Sequence, residues 1–261
     1  LKTNKTQRKK TGMSEFDRVL GGGIVPGSTV LITGAPGAGK STLLLQVSEA
    51  LASSDGMSVL FVSGEESIDQ IGSRARRLGV KGTKLFLAAT NRLENIINQV
   101  ENLKPSMVVV DSVQTLVSDS IDSPPGSVTQ VQTVTQTLAE VAKSLHPAMM
   151  MTGHVTKEGG IAGPRVLEHL VDAILQLDGD RQGYLRTLHG IKNRFGTISE
   201  IGVFEMKSGG LIGVEDPSRV FLADRHSGAP GSAVVVLMEG SRPIAVEIQA
   251  LTTPSNLPSP R

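Results

Sequence analysis

The sequence predicts an α/β fold, a mostly parallel twisted sheet with helices on both faces and an antiparallel C-terminal extension. Three observations predict it. Short apolar runs alternate with amphipathic stretches through the first two thirds of the 261 residues, the texture of βαβ units. Those runs are continuous rather than alternating, as strands covered on both faces are. From about residue 172 no long helix separates the apolar runs, which suits antiparallel neighbours.

Taken in order, Val30–Thr33, Val59–Ser63, Leu85–Ala88, Val108–Asp111 and Ala148–Val155 read as buried strands. Ser41–Ser53, Ile68–Leu78, Leu93–Leu103 and Ser127–His146 read as the helices between them. Ala173–Leu177, Leu185–Ile191 and Ile201–Met206 form the antiparallel extension. Ala233–Leu237 and Ile244–Ile248 read as a hairpin around Glu239-Gly240-Ser241-Arg242-Pro243. Two strands do not make a stable domain alone. The hairpin is therefore either an edge of the main sheet or the start of another domain. Residues 1–10 read as a basic linker, 11–223 as the core, and 224–261 as linker plus the beginning of a further C-terminal domain.

Composition narrows the function classes. There is no Cys, so thiolate metal sites and disulfides are excluded from this stretch. No apolar run approaches the roughly 18 residues that cross a bilayer, so no membrane role is expected. The first ten residues hold Lys2, Lys5, Arg8, Lys9 and Lys10 and no acid, while the remainder is slightly acidic. A global basic field is thus absent, and any nucleic-acid contact must come from a few placed cations. Aromatic residues make up 3%, with no Trp and one Tyr, which argues against a stacking platform for bases. The five His residues show no metal-ligand spacing. Arg74, Arg76 and Arg77 read as a solvated helix face.

One motif carries chemistry strongly. Gly34-Ala35-Pro36-Gly37-Ala38-Gly39-Lys40-Ser41, followed by Thr42, matches the phosphate-loop pattern and sits between a strand and a helix. Its glycines let backbone N–H groups curl round phosphate oxygens, and the helix N-terminus adds partial positive charge. Lys40 supplies a cation for the β- and γ-phosphates, and the Ser41 hydroxyl is a hard ligand for Mg²⁺. Asp111, ending the run Met107–Val110, is the expected second Mg²⁺ partner, against the plainer reading of a helix cap. Phe61–Ser67 ends another strand with Glu65 and Glu66; Glu65, nearer the strand, is the preferred activator of the attacking water. His154 is expected on the same edge, where it could sense the γ-phosphate.

Longer stretches carry a resemblance. They are Thr11-Gly12 with Glu15–Gly23, the phosphate loop with Ser41–Gln46, and Val62–Ser67. They continue in Gly153–Gly159, Ile161–His169 and the pentad Lys192-Asn193-Arg194-Phe195-Gly196. Together these resemble the central ATPase domain of the bacterial RadA (Sms) family, RecA-superfamily motors of DNA repair. The resemblance implies a RecA-like P-loop ATPase core that uses ATP and Mg²⁺. It implies a homo-oligomeric ring, usually a hexamer. Such a ring would be a DNA-dependent ATPase and helicase on single-stranded DNA. It would promote branch migration of branched recombination intermediates beside RecA recombinase. It further implies a bacterial, cytoplasmic, nucleoid-associated setting, with an organelle of bacterial descent equally compatible. Lys192 and Arg194 are then the cations lent to a neighbour's nucleotide. DNA contacts fall to Lys157, Arg165, Lys192 and Arg194, with the Gly-rich stretch Thr156–Arg165 as the channel loop. The family's four-Cys zinc finger has no counterpart here, and only the approach to its Lon-protease-like domain is present. The competing readings are a KaiC-like ATPase or kinase oligomer without nucleic acid, and a DNA-binding scaffold that ATP merely gates.

Overall fold

The structure, a computed structural model, describes residues 8–54, 56–153, 164–179, 183–223, 225 and 230–251. Its centre is a nine-stranded sheet in the order β3-β2-β4-β5-β1-β6-β7-β8-β9. The strands are β1 (Thr29–Thr33), β2 (Val59–Ser63), β3 (Leu85–Ala89), β4 (Met107–Asp111) and β5 (Ala148–Thr152), then β6 (Ala173–Gly179), β7 (Leu185–Asn193), β8 (Ile201–Lys207) and β9 (Gly210–Gly213). β1 to β6 are parallel, and β6 to β9 run antiparallel as a meander. The predicted sheet class is therefore the observed one. Every residue of β1, β2, β4 and β5 is buried, whereas the edge strand β3 is only partly so. That burial explains why the runs read as continuous apolar segments.

Two cores lie on the two faces of the sheet. One gathers α1 (Ser14–Leu20) and α2 (Lys40–Ser54) through Phe16, Leu43, Leu44 and Leu51, against Phe61 and Phe204. α3 (Ile68–Arg77) adds Ile71 to it. The other gathers α4 (Leu93–Leu103) and α5 (Val128–Leu145) through Ile96, Val100, Val134 and Leu138, against Leu60, Val108 and Met149. α3 starts in a capping box, Ser67 with Gln70, and α5 in a Ser127 cap, so both helix starts are written locally.

Several boundaries differ from the sequence reading. β5 ends at Thr152; Gly153 still donates to the Ile32 carbonyl at 2.9 Å, and the remainder of the stretch read as a strand, His154 and Val155, lies outside the described residues. α1, β9, α6 (Pro164–Leu167) and α7 (Pro217–Phe221) were not anticipated; each is seven residues or fewer, too short for periodicity to register. The C-terminal hairpin β10 (Ser232–Glu239) and β11 (Arg242–Gln249) is a separate two-stranded sheet, not an edge of the main one. It is anchored by polar contacts. Arg242 pairs with buried Glu15 at 2.6 Å, Ser241 N donates to Glu200 at 3.0 Å, and Ala245 N donates to Ser218 Oγ at 3.0 Å. Arg8 and Lys9, which the sequence places in the linker, are also held: Lys9 pairs with Ile24 in an antiparallel bridge.

Among the described residues no helix is long and apolar enough to cross a membrane.

Candidate active site

The carboxyl ends of the parallel strands share one edge, and the predicted phosphate site assembles there. β1 stops at Thr33 and α2 begins at Lys40, so residues 34–39 form the loop between them. Gly34 has φ +149°, and a Cβ there would lie 2.2 Å from the Leu177 carbonyl of β6. Only glycine lets the loop pass so close to that strand. The Lys40 ammonium donates to the Gly34 and Ala35 carbonyls at 2.8 and 3.1 Å. Burial lowers the Lys40 pKa from its ordinary value, and the charges of Asp111 and Glu65 oppose that shift. The lysine thus sits buried in the loop, within the field of both carboxylates.

Asp111 ends β4, one strand removed from β1 across β5. Its carboxylate accepts 2.6 Å from Thr152 Oγ1 at the end of β5, a buried contact that fixes its direction. Glu65 follows β2. Its backbone N–H is 3.3 Å from Ser63 Oγ, and its carboxylate accepts from Ser112 Oγ at 2.8 Å. Gly64 makes this turn possible: a Cβ there would meet Thr115 Oγ1 at 2.2 Å. Glu66 is occupied differently, paired with Arg74 at 2.5 Å. Of the two sequence candidates, Glu65 lies beside Asp111 and Lys40 in the cleft, and Glu66 points at α3.

The cleft measures about 420 Å³ and is lined by Gly37, Gly39, Lys40, Ser41, Thr42, Glu65, Arg74, Arg77, Asp111, Arg186 and Met206. Four of these were missed. Arg74 and Arg77, read as a solvated face, stand three residues apart on α3 and turn toward the loop; the spacing could have suggested a shared face. Arg186 of β7 donates to the Ala38 carbonyl at 3.1 Å, and Met206 of β8 packs on Gly39. Nothing local announces either residue, because only the antiparallel return of β7 and β8 brings them there. The donor set in this cleft (a hydroxyl at Ser41, a carboxylate at Asp111, a buried ammonium) is that of a hard divalent cation beside phosphate oxygens. Ala35 and Pro36 complete the loop at its outer turn.

The pentad lies elsewhere. Ala173, first residue of β6, pairs with Asn193. Lys192 and Arg194 are therefore at the amino edge of the parallel strands, opposite the phosphate loop. Lys192 Nζ donates to the carbonyls of Glu168 and, at 2.8 Å, Val171. Its pKa is lowered, first by desolvation and then by the neighbouring Arg194 charge, with Glu168 and Asp172 opposing. Arg194 pairs with Asp172 at 3.2 Å, and its side chain is 53% exposed. His154 and Lys157 lie outside the described residues, as does the Arg165 side chain; the backbone of Arg165 belongs to α6.

Comparison with known proteins gives this arrangement a family. Residues 2–160 match a family model described as an AAA domain. The chain is 54% identical over 248 residues to DNA repair protein RadA of Streptococcus pyogenes serotype M6, covering 95% of this chain and 54% of that one. It is 49% identical over 261 residues to the Bacillus subtilis RadA, covering 57% of it. The chain thus spans a little over half the length of these relatives. A KaiC-like protein from Pyrococcus horikoshii OT3 shares the fold, with a TM-score of 0.65 at 21% identity over 80% of this chain and 99% of that one. With a matching family model over more than half its residues and RadA relatives along nearly all of them, the chain belongs to the AAA domain family, as a RecA-like P-loop ATPase domain homologous to DNA repair protein RadA.

Proposed function

We propose that this chain is the ATPase core of a ring motor on single-stranded DNA, in which each nucleotide is held by one copy and its cleavage completed by the next. One observation carries the reading. The pentad cations sit at the sheet edge opposite their own phosphate loop, and Arg194 is more than half exposed there. They are remote from the nucleotide of their own subunit, so a part in hydrolysis requires an adjacent copy.

Within one copy the geometry supports the following division of labour. The N–H groups of Gly37–Thr42 and the Lys40 ammonium bind the triphosphate. Ser41 and Asp111 would hold Mg²⁺, whose charge would stabilise the phosphate oxygens when it is bound. Glu65, oriented by Ser112, accepts a proton from the attacking water as the bond from γ-phosphorus to the bridging oxygen breaks, leaving ADP and phosphate. Arg186 stands ready near the loop backbone, and Lys192 and Arg194 of the neighbour meet the charge that develops. DNA contacts from Lys157, Arg165, Lys192 and Arg194 complete the proposal, with hexameric assembly, helicase action and branch migration beside RecA recombinase as its biological form. The setting is then the bacterial cytoplasm.

The test is ATPase rate against single-stranded DNA at two salt concentrations, with particle size measured alongside. Stimulation that weakens with salt, on ring-sized particles, is expected. A rate indifferent to DNA would favour the KaiC-like reading. Binding without faster turnover would favour an ATP-gated scaffold.

A further inference from the structure

Arg8 lies in the basic leader, far in sequence from everything catalytic, yet its guanidinium closes a junction at the pentad edge. One nitrogen donates to the Leu20 carbonyl at 3.2 Å and to the Gly21 carbonyl, at the C-terminal end of α1. The other donates to the Phe195 carbonyl inside the pentad. A cation at a helix C-terminus satisfies carbonyls that have no partner within the helix and complements its dipole. Here the same cation also holds the turn that follows Arg194.

The surroundings show that this is a fitted contact. The leader backbone is fixed one residue later, where Lys9 and Ile24 exchange hydrogen bonds of 2.8 Å each. A Cβ on Gly21 would stand 3.0 Å from the Arg8 nitrogen and 3.5 Å from the Gly196 Cα, so the two turns approach each other through their glycines with the guanidinium beside them. Asn193 accepts from the Phe195 N–H at 2.9 Å, which shapes the same turn from inside. Lys192 and Arg194 are tied to Glu168, Val171 and Asp172 on one side. On the other side, two side chains join their turn to α1: Asn193, whose Nδ2 donates to the Val19 carbonyl at 3.4 Å, and Arg8, which bonds both the end of α1 and the Phe195 carbonyl.

We infer that Arg8 is a positioning residue for the pentad: it clamps the Phe195–Gly196 turn to the end of α1 so that Arg194 and Lys192 are presented to the neighbouring copy in one orientation. The inference rests on the reading that these cations act across an interface. Loss of an orienting contact, rather than of the reacting group, commonly costs about ten- to a hundredfold.

The experiment compares Arg8→Ala and Arg8→Lys with Arg194→Ala in the full-length protein, measuring kcat and KM for ATP, alone and mixed with Lys40→Ala subunits. Arg8→Ala should lower kcat by about ten- to a hundredfold while KM for ATP stays within about twofold. Arg8→Lys, which keeps the charge but not the fork, should recover only part of this loss. Lys40→Ala subunits carry an intact pentad, so mixing them in should restore ATPase to both Arg8→Ala and Arg194→Ala. If Arg194→Ala is rescued and Arg8→Ala is not, Arg8 acts inside its own subunit and the inference falls. If neither is rescued, the trans reading itself fails, a distinguishable result. Arg8→Ala in an Arg194→Ala background should cost little more than Arg194→Ala alone, since both remove one device; full additivity would overturn the inference. Should Arg8→Ala fail to fold, the partly active Arg8→Lys carries the same comparison.

Discussion

The two edges of the parallel sheet hold their charges in opposite ways. At the carboxyl edge Lys40 is buried between loop carbonyls and carboxylates, and Asp111 and Glu65 are each fixed by a hydroxyl. At the amino edge Lys192 leans on backbone carbonyls, and Arg194 reaches outward from a partly buried aspartate. The first edge gathers its charges in a cleft of about 420 Å³. The second displays its cations. A single copy of the chain thus carries the cleft of Lys40, Glu65 and Asp111 at one end of the parallel strands, and Lys192 and Arg194 at the other.

Removing Lys40 breaks the first edge outright. Lys40→Ala should weaken ATP binding by about a hundredfold or more, because it leaves Asp111 and Glu65 facing the phosphates without a counter-charge; titration with a fluorescent nucleotide measures this. Arg194→Ala tests the second edge. ATP affinity should be unchanged, while turnover falls by about a thousandfold, and the two constants together separate binding from completion of the site. Glu65→Gln should lower turnover by about 10²–10⁴-fold with ATP still bound. Glu66→Gln, which loses the Arg74 pair, should change turnover by less than about threefold, as a partly exposed ion pair contributes little. A comparable loss in Glu66→Gln would transfer the role. The smallest catalytic effect is expected from the hairpin. Arg242→Ala leaves the Glu15 carboxylate, 2% exposed, with the Val203 N–H and Arg18 at 3.8 Å as its partners among the described residues. It should cost about 3–5 kcal/mol of stability in a thermal or denaturant melt, with kcat near wild type at low temperature.

The carboxyl edge was legible because its chemistry is consecutive. The phosphate loop needs its glycines, lysine and hydroxyl side by side, and a strand ending in Asp or Glu places that acid at the edge without any tertiary knowledge. Sequence prefers Glu65 over Glu66 only by its nearness to the strand; the contacts that set the two apart come from Ser112, after β4, and Arg74, on the next helix. Arg186 and Met206 stayed hidden for the same reason, since they arrive from strands that return antiparallel more than 140 residues later. Lys192 and Arg194 were noticed through family resemblance alone; as local sequence they are two cations at the end of a strand. The short elements α1 and β9 gave too few residues for any period to show. Arg8 fell inside a charge run, and its fixed partners are set by Gly21 and Phe195, which periodicity cannot link to it.

β7 reaches from one edge to the other. Near its start Arg186 donates to the Ala38 carbonyl of the glycine-rich loop, and at its end Lys192, with Arg194 just past the strand, lies on the far side. Its six-residue step from Arg186 to Lys192 spans about 20 Å of hydrogen-bonded ribbon. The β6–β7 register shifts between Ile174 and Leu175, just before Lys192; in the proposed assembly, a tilt of β7 at one copy's nucleotide would shift what that copy offers the next. Firing order around such a proposed assembly would then need no separate messenger, because one strand would carry each copy's state to the face it extends.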